Sequence, residues 1–222
     1  MYKYFFKRII DVILSLIAIL ILSPLFIPVM IILLMTGENY IFYSQKRIGY
    51  KNKTFFILKF ATMVKNSPNI GTGLHTKKSD PRILPFGRFL RKTKINELPQ
   101  LFNILLGDMS IVGPRPLVDK TFEPYSKIVK EKIYNIKPGL TGIGSILFRD
   151  EEELLSKTTL PLDEFYKNEI SPYKGKLEMW YQKNISLYTD LMIILITAWT
   201  IFFPNNNLVF KFFNDLPNRK IK

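Results

Sequence analysis

Apolar residues in this chain gather in two blocks, Ile9 to Leu34 near the start and Leu191 to Phe203 near the end. As a helix the first is long enough to cross roughly 30 Å of hydrocarbon, for which about 20 residues suffice. The second, bounded by Asp190 and Pro204, is too short to cross and predicts a core helix or one lying in a membrane interface. Ser23 and Pro24 fall near the middle of the first block, and Pro28 follows. Proline removes a backbone donor and clashes with the preceding turn, so a helix break is expected at Ser23-Pro24. The Ser23 hydroxyl can then take up a backbone group that the break frees. A break at mid-depth lets the segment dip into a membrane and return to the same face; a kinked spanning helix is the alternative.

Between the blocks the pattern changes. After Gly37, two runs rich in Tyr, Phe and Ile flank a polar Gly-Tyr-Lys-Asn-Lys turn, which predicts a small β-hairpin. Its basic residues suit phosphate, lipid headgroups or plain solvent. Thr93 is a good N-cap for a helix that puts Ile95, Leu98, Leu101, Phe102 and Leu105 on one side, at core-facing spacing. Asn96, Gln100 and Asn103 form its polar stripe, with Glu97 in the first turn and Pro99 tolerated early. Asp150 to Glu153 reads as a solvated helix start. Leu208 to Phe213, with the cationic residues at the very end, reads as an anchor at headgroup level. The fold class that follows is α+β and mainly helical, with a membrane-embedded start over 1–36 and a body over 37–222.

Charge narrows the function. The net charge of +14 comes from 32 Lys+Arg against 18 Asp+Glu, and it calls for an anionic partner: nucleic acid, anionic lipid or a phosphorylated substrate. The apolar blocks and the lack of a recognisable nucleic-acid motif count against the first. Lys3, Lys7 and Arg8 precede the first block, and Lys46, Arg47, Lys51, Lys53, Lys59 and Lys65 follow it, so both flanks favour the same membrane side. No small-x-small site follows the block, which argues against a cleaved signal. The absence of cysteine excludes disulfides, a thiolate nucleophile and Cys-ligated zinc. His75, the single histidine, sits in a polar Gly- and Thr-rich stretch, reads as a surface residue, and excludes any site that needs two imidazoles.

Carboxylate and guanidinium chemistry remains, concentrated in 80–116. Arg82, Arg88, Arg91 and Lys92 lie just upstream of a helix start, where the dipole favours anions, and Arg115 is stiffened between two prolines. A carboxylate ringed by arginines suits a Mg²⁺-diphosphate site, the carboxylate for metal and the guanidinium for phosphate. A first-turn glutamate can equally be a surface charge that complements the dipole.

The order of these pieces resembles the bacterial sugar transferases, the monotopic phosphoglycosyl transferase family. The matching residues are Lys7-Arg8, Asp11, Ser23-Pro24, Gln45-Lys-Arg-Ile-Gly49, Lys59-Phe60 and Thr62-Met63. Asp80-Pro-Arg82, Phe86-Gly-Arg88, Arg91-Lys-Thr93, Glu97-Leu-Pro-Gln100, Gly107-Asp-Met-Ser110, Gly113-Pro-Arg-Pro116 and Lys137-Pro-Gly-Leu-Thr-Gly142 follow in order. The resemblance implies a re-entrant N-terminal helix and a catalytic domain, with interfacial amphipathic helices, on the cytoplasmic face of the bacterial inner membrane. It further implies transfer of a sugar 1-phosphate from a UDP-sugar to undecaprenyl phosphate, with Mg²⁺ and release of UMP, as a first membrane step of glycoconjugate assembly. Anionic membrane lipids are expected as partners and nucleic acid is not, while the oligomeric state stays open. By position, Glu97 matches the catalytic glutamate and metal ligand. Arg91 and Arg115 match residues that hold phosphate, with Arg88, Arg82, Lys59 and Gln100 in the same substrate-binding set.

The chain departs from the pattern at Asn96, where the family has a nucleophilic Asp. A carboxamide is a very poor nucleophile. Three readings stay open: Glu97 attacks, the polyprenyl phosphate attacks directly with Asn96 orienting groups, or the chain is a catalytically impaired membrane scaffold. Ala61, where an Arg is common, and Gly142-Ile-Gly-Ser-Ile are smaller departures.

Overall fold

The computed structural model describes residues 2–36, 38–70, 80–203 and 207–218, so His75 and the last four residues lie outside it. A π-helical turn (Tyr2–Phe6) runs into helix α1 (Lys7–Met35), followed by strands β1 (Phe42–Ile48) and β2 (Thr54–Phe60). Helices α2 (Pro85–Lys92) and α3 (Gln100–Leu106) lead to β3 (Ser110–Val112). Next come α4 (Asp119–Phe122), α5 (Lys127–Lys132), β4 (Gly139–Thr141), α6 (Ile143–Leu147), α7 (Glu151–Lys157) and α8 (Leu162–Phe165). Helices α9 (Ser171–Lys183), α10 (Leu187–Phe202) and α11 (Leu208–Phe212) complete the chain. The architecture is mainly helical with two small sheets, in line with the sequence reading.

The expected break in the first apolar block is absent, because α1 continues as a helix past Ser23, Pro24 and Pro28. Pro24 has no N–H for the Leu20 carbonyl, and the Ser23 hydroxyl donates to that carbonyl at 2.9 Å. The hydroxyl thus replaces the lost bond inside a continuous helix.

One face of α1 docks along its whole length. Arg8 donates to the carbonyls of Ile104 and Leu105, where a cation complements the C-terminus of α3. Asp11 accepts the Ile111 N–H at 2.9 Å. Ala18, Ile19 and Leu22 pack on Ile57, Leu101, Ile104 and Met109, while Phe26, Val29 and Leu33 pack on Phe60 and Leu90. The opposite face leaves Ile13, Ile17, Leu20, Ile21, Ile27 and Ile31 exposed.

The hairpin forms where the aromatic alternation predicted it, with its turn at Gly49 to Lys53. Tyr43 pairs with Lys59, Gln45 with Ile57 and Arg47 with Phe55. Since side chains alternate, Tyr43, Gln45 and Arg47 share one face with Lys59.

The helix expected from Thr93 is divided. Thr93 closes α2, its hydroxyl donating to the Phe89 carbonyl at 2.8 Å, and Lys94 takes a left-handed φ of 62°. A separate 3₁₀ turn, Ile95–Glu97, follows, and α3 begins only after Pro99. Asn103 on α3 holds the hairpin, accepting the Leu58 N–H at 2.9 Å and donating to the Phe56 carbonyl at 2.8 Å.

Strands β3 and β4 are parallel, pairing Ser110 with Gly139 and Val112 with Thr141. A Cβ on Gly139 would stand 2.1 Å from the Gly113 nitrogen, and one on Gly142 would stand 2.2 Å from the Gly113 oxygen. The Gly-Pro-Arg-Pro and Lys-Pro-Gly-Leu-Thr-Gly segments therefore touch backbone to backbone, which only glycine allows.

The largest core joins α6, α9, α10 and α11 around Ile143, Leu177, Tyr181 and Ile193. The tail contributes to it rather than serving only as a headgroup anchor. Val209, Phe213 and Leu216 are buried, Phe213 packs on Trp180 at 5.1 Å, and Trp180 Nε1 donates to Asp215 at 2.7 Å. Helix α10 is capped by Ser186, starts earlier than its apolar run, and exposes Leu187, Leu191, Leu195, Trp199 and Phe202 along one stripe.

Candidate active site

The 3₁₀ turn presents Glu97 to the hairpin face that carries Lys59, and the β3–β4 junction brings Arg115 from the other side. Glu97 Oε1 lies 3.4 Å from Lys59 Nζ and 3.5 Å from Arg115 Nη2. A cavity of about 10 Å³ is lined by Arg47, Ile57, Lys59, Glu97, Gln100, Arg115, Pro116 and Gly139. That is room for roughly one water, so the cavity is the floor of a site and not a complete substrate pocket.

Burial alone would raise the Glu97 carboxyl, but Lys59, Arg115 and Lys94 outweigh it and hold the group well below the usual carboxylate range. Burial also pushes the Lys59 ammonium down to about 7, with Glu97 opposing and Arg47, Arg115 and Arg91 adding to the shift. Glu97 is therefore ionised at neutral pH, in a surround that is otherwise cationic.

Arg115 is aimed by its backbone. Its two proline neighbours have no N–H, so its own is the one amide donor of Pro114-Arg115-Pro116, and it draws the Glu178 carboxyl down. Tyr134 donates its hydroxyl to the Arg115 carbonyl at 2.8 Å and accepts the Leu117 N–H at 3.0 Å. Arg47 donates to the Pro116 carbonyl at 3.1 Å. Glu178 is buried in α9, and that burial pushes its carboxyl up to about 8, against the pull of Lys174 and the Arg115 N–H.

Of the residues singled out in the sequence, Glu97, Lys59, Gln100 and Arg115 come together around the cavity. Arg91 lies nearby and pairs with Glu152 at 2.5 Å, while Arg88 is exposed on α2. Arg82 is placed elsewhere: its guanidinium donates to Asp80 at 2.9 and 2.6 Å and to the carbonyls of Ser67 and Ile70 at 2.7 and 3.0 Å. That is a loop brace, set up by the Asp80-Pro-Arg82 turn. Ser23 and Pro24 lie within α1. Asn96 does not line the cavity; it is buried, and its Oδ1 has no hydrogen-bond partner. Ala61 is buried. The sequence reading placed Arg47 in a family motif and among hairpin basic residues suited to phosphate without singling it out for the site, and it missed Glu178. Strand alternation could have found Arg47, because Gln45 and Arg47 fall on the face of Lys59. No local signal marks Glu178.

Among the described residues no group of three or more His, Cys, Asp or Glu could hold a metal by itself. Mg²⁺ commonly takes one or two carboxylates together with substrate phosphates and water. Glu97, as the one carboxylate that lines the cavity, is compatible with a Mg²⁺ held largely by substrate phosphates and water.

The geometry agrees with what known proteins add. The family model for bacterial sugar transferases matches residues 2–204. The undecaprenyl-phosphate galactose phosphotransferase of Salmonella typhimurium is 34% identical over 208 residues, covering 87% of this chain and 40% of that protein. The exopolysaccharide production protein ExoY of Sinorhizobium fredii is 34% identical over 205 residues, covering 86% of this chain and 83% of that protein. The UDP-glucose:undecaprenyl-phosphate glucose-1-phosphate transferase of Klebsiella pneumoniae is 30% identical over 199 residues, covering 87% and 39%. The chain thus spans about two fifths of the length of the Salmonella and Klebsiella relatives and most of the Sinorhizobium one. With the family model matching nearly the whole chain and these relatives covering 86–87% of it, this chain belongs to the bacterial sugar transferase family.

Proposed function

We propose that the protein transfers a sugar 1-phosphate from a UDP-sugar to undecaprenyl phosphate, releasing UMP, at the cytoplasmic face of a bacterial inner membrane. The observation that carries this reading is one ionised carboxylate, Glu97, set between Lys59 and Arg115 on the floor of a cationic cavity. Such a floor suits a diphosphate and a phosphate monoester brought together. The names of the relatives supply the donor and acceptor classes, and they favour an enzyme over an inactive scaffold.

The transfer is direct. An oxygen of the acceptor phosphate attacks the β-phosphorus of the donor and forms a new P–O bond. The bond from that phosphorus to the bridging oxygen breaks, and its electron pair leaves on UMP. Asn96 cannot carry a covalent phosphosugar, and the basicity of Glu97 is drawn down by its cations, which makes it a weak nucleophile. Lys59 and Arg115 neutralise the phosphates, with Arg91 available once it parts from Glu152. Glu97 would hold Mg²⁺, which would supply further neutralisation of diphosphate charge when bound.

Donor labelled in the β-phosphate tests the route. Without acceptor lipid, no protein-bound label and no UMP release are expected, whereas Asn96→Asp should acquire label. Label on wild-type Glu97 would overturn direct transfer.

The membrane arrangement belongs to the same proposal. A helix the length of α1 extends about 44 Å at 1.5 Å per residue, yet both of its ends and its middle pack on one body. A straight span would carry one end away from that body. The docked face, with the exposed apolar stripes of α1 and α10, supports insertion into one leaflet. Cysteines placed at Tyr2 and Asn52 should label from the same side; opposite sides would exclude this topology.

A further inference from the structure

We infer that Arg47 grips a phosphate group of a substrate, which makes it a binding residue of the Glu97 site alongside Lys59 and Arg115. The cavity is lined by these three cations and one carboxylate. Glu97 answers two of them, Lys59 at 3.4 Å and Arg115 at 3.5 Å. Arg47 donates only to neutral acceptors, the Pro116 carbonyl at 3.1 Å and Gln45 Oε1 at 2.5 Å. Its Nε is buried with no hydrogen-bond partner among the described residues. A guanidinium offers five N–H donors in a rigid fork, and leaving one of them dry and unpaired is costly.

The charge around Arg47 points the same way. Burial first, and then the Arg115 guanidinium, weaken the hold of Arg47 on its proton. Two guanidiniums lining one cavity repel each other, and an anion between them reverses the sign of that interaction. Phosphate oxygens match the fork in charge and in bidentate geometry. The hairpin register fixes the placement, with Arg47 and Lys59 on the same face of paired strands. That the phosphate belongs to a nucleotide-sugar or to a polyprenyl phosphate rests on the transferase reading; the anion site itself does not.

The rival role is a brace, with Arg47 merely fixing the Pro116 carbonyl. Full-length wild-type, Arg47→Gln and Arg47→Lys proteins in detergent separate the two. Binding of inorganic phosphate, UMP, UDP and a short-chain polyprenyl phosphate is measured by ligand-induced thermal shift and titration. Arg47→Gln is expected to bind at least one probe about tenfold more weakly or worse, with Arg47→Lys between it and wild type. A loss confined to UMP and UDP assigns Arg47 to the donor, and a loss confined to the lipid phosphate assigns it to the acceptor. Unchanged affinities in Arg47→Gln, with or without a lower melting temperature, overturn the proposal, as does a wild type that binds none of the probes. If the Gln variant does not fold, wild-type affinity for every probe in Arg47→Lys overturns it instead. Binding that persists in a wild type releasing no UMP from any donor would count against the transferase reading and leave the anion site standing.

Discussion

Asp190, buried, and Glu97, partly buried, are both carboxylates facing lysine, and their surroundings differ in completeness. Asp190 accepts from Lys7 Nζ at 2.6 Å, the Tyr2 hydroxyl at 2.7 Å and the Tyr181 hydroxyl at 2.6 Å. Both of its oxygens are claimed, and the Lys7 and Asp190 side chains are only 8% and 6% exposed. Around Glu97 the ion pairs are longer, 3.4 and 3.5 Å, and Arg115 is 39% exposed. Arg47 Nε, in the same cavity lining, has no hydrogen-bond partner among the described residues. Closed shells of this kind hold a structure together, while open ones with surplus charge wait for a ligand.

The sharpest break of that contrast is Glu97→Gln. Removing the carboxylate should cut UMP release by roughly 10³-fold, in the range seen when one electrostatic catalytic group is lost. Folding, read by circular dichroism, should remain intact, since the Glu97 contacts are long. Lys7→Met should do the reverse. It leaves Asp190 as a buried charge without its cation and should cost about 3–5 kcal/mol of unfolding free energy in denaturant titration. Pairing it with Asp190→Leu should recover much of that stability, because replacing a buried pair outright is often neutral. Recovery of transfer by a comparable Lys59→Met, Glu97→Leu double replacement would erase the distinction between the clusters.

The mildest test concerns Glu178. Its carboxyl is raised from 4.5 to about 8. Between those values the native state keeps a proton that the unfolded chain has released, so this group's contribution to stability falls as pH rises. The loss is at most about 1.4 kcal/mol per pH unit. Glu178→Gln keeps the side chain's shape and its carbonyl oxygen and removes the titration. Its melting temperature relative to wild type should therefore climb from pH 5 to pH 8. A pH-independent difference would show that Glu178 is ionised in the native state.

Sequence patterning revealed the elements whose signals are local. Alternating aromatics and a polar turn located the hairpin, and hydropathy located α1 and α10. It erred where one residue serves either of two neighbours. Thr93 can cap a following helix, but its hydroxyl turned back to the Phe89 carbonyl and ended α2 instead. Pro24 signals a break, yet the adjacent serine repairs the lost bond at Leu20. Within the site, Glu97, Lys59, Gln100 and Arg115 were legible from the family resemblance. Arg82 was not separable from them, because its role depends on Asp80 two positions away and on carbonyls from another loop. Glu178 stayed hidden because the fold alone brings it under the influence of the Arg115 backbone, more than 60 residues distant, which no periodicity encodes.

The Lys7–Asp190 contact joins positions 183 residues apart in the chain. Closing so long a loop is entropically expensive and slow compared with forming α1 or the hairpin. The contact therefore closes after the local elements have formed, and it ties the start of α1 to the start of α10. Without α10, Lys7 would lose its counter-ion, while Arg8, bound to α3, and the apolar face of α1, packed on the hairpin, kept their partners.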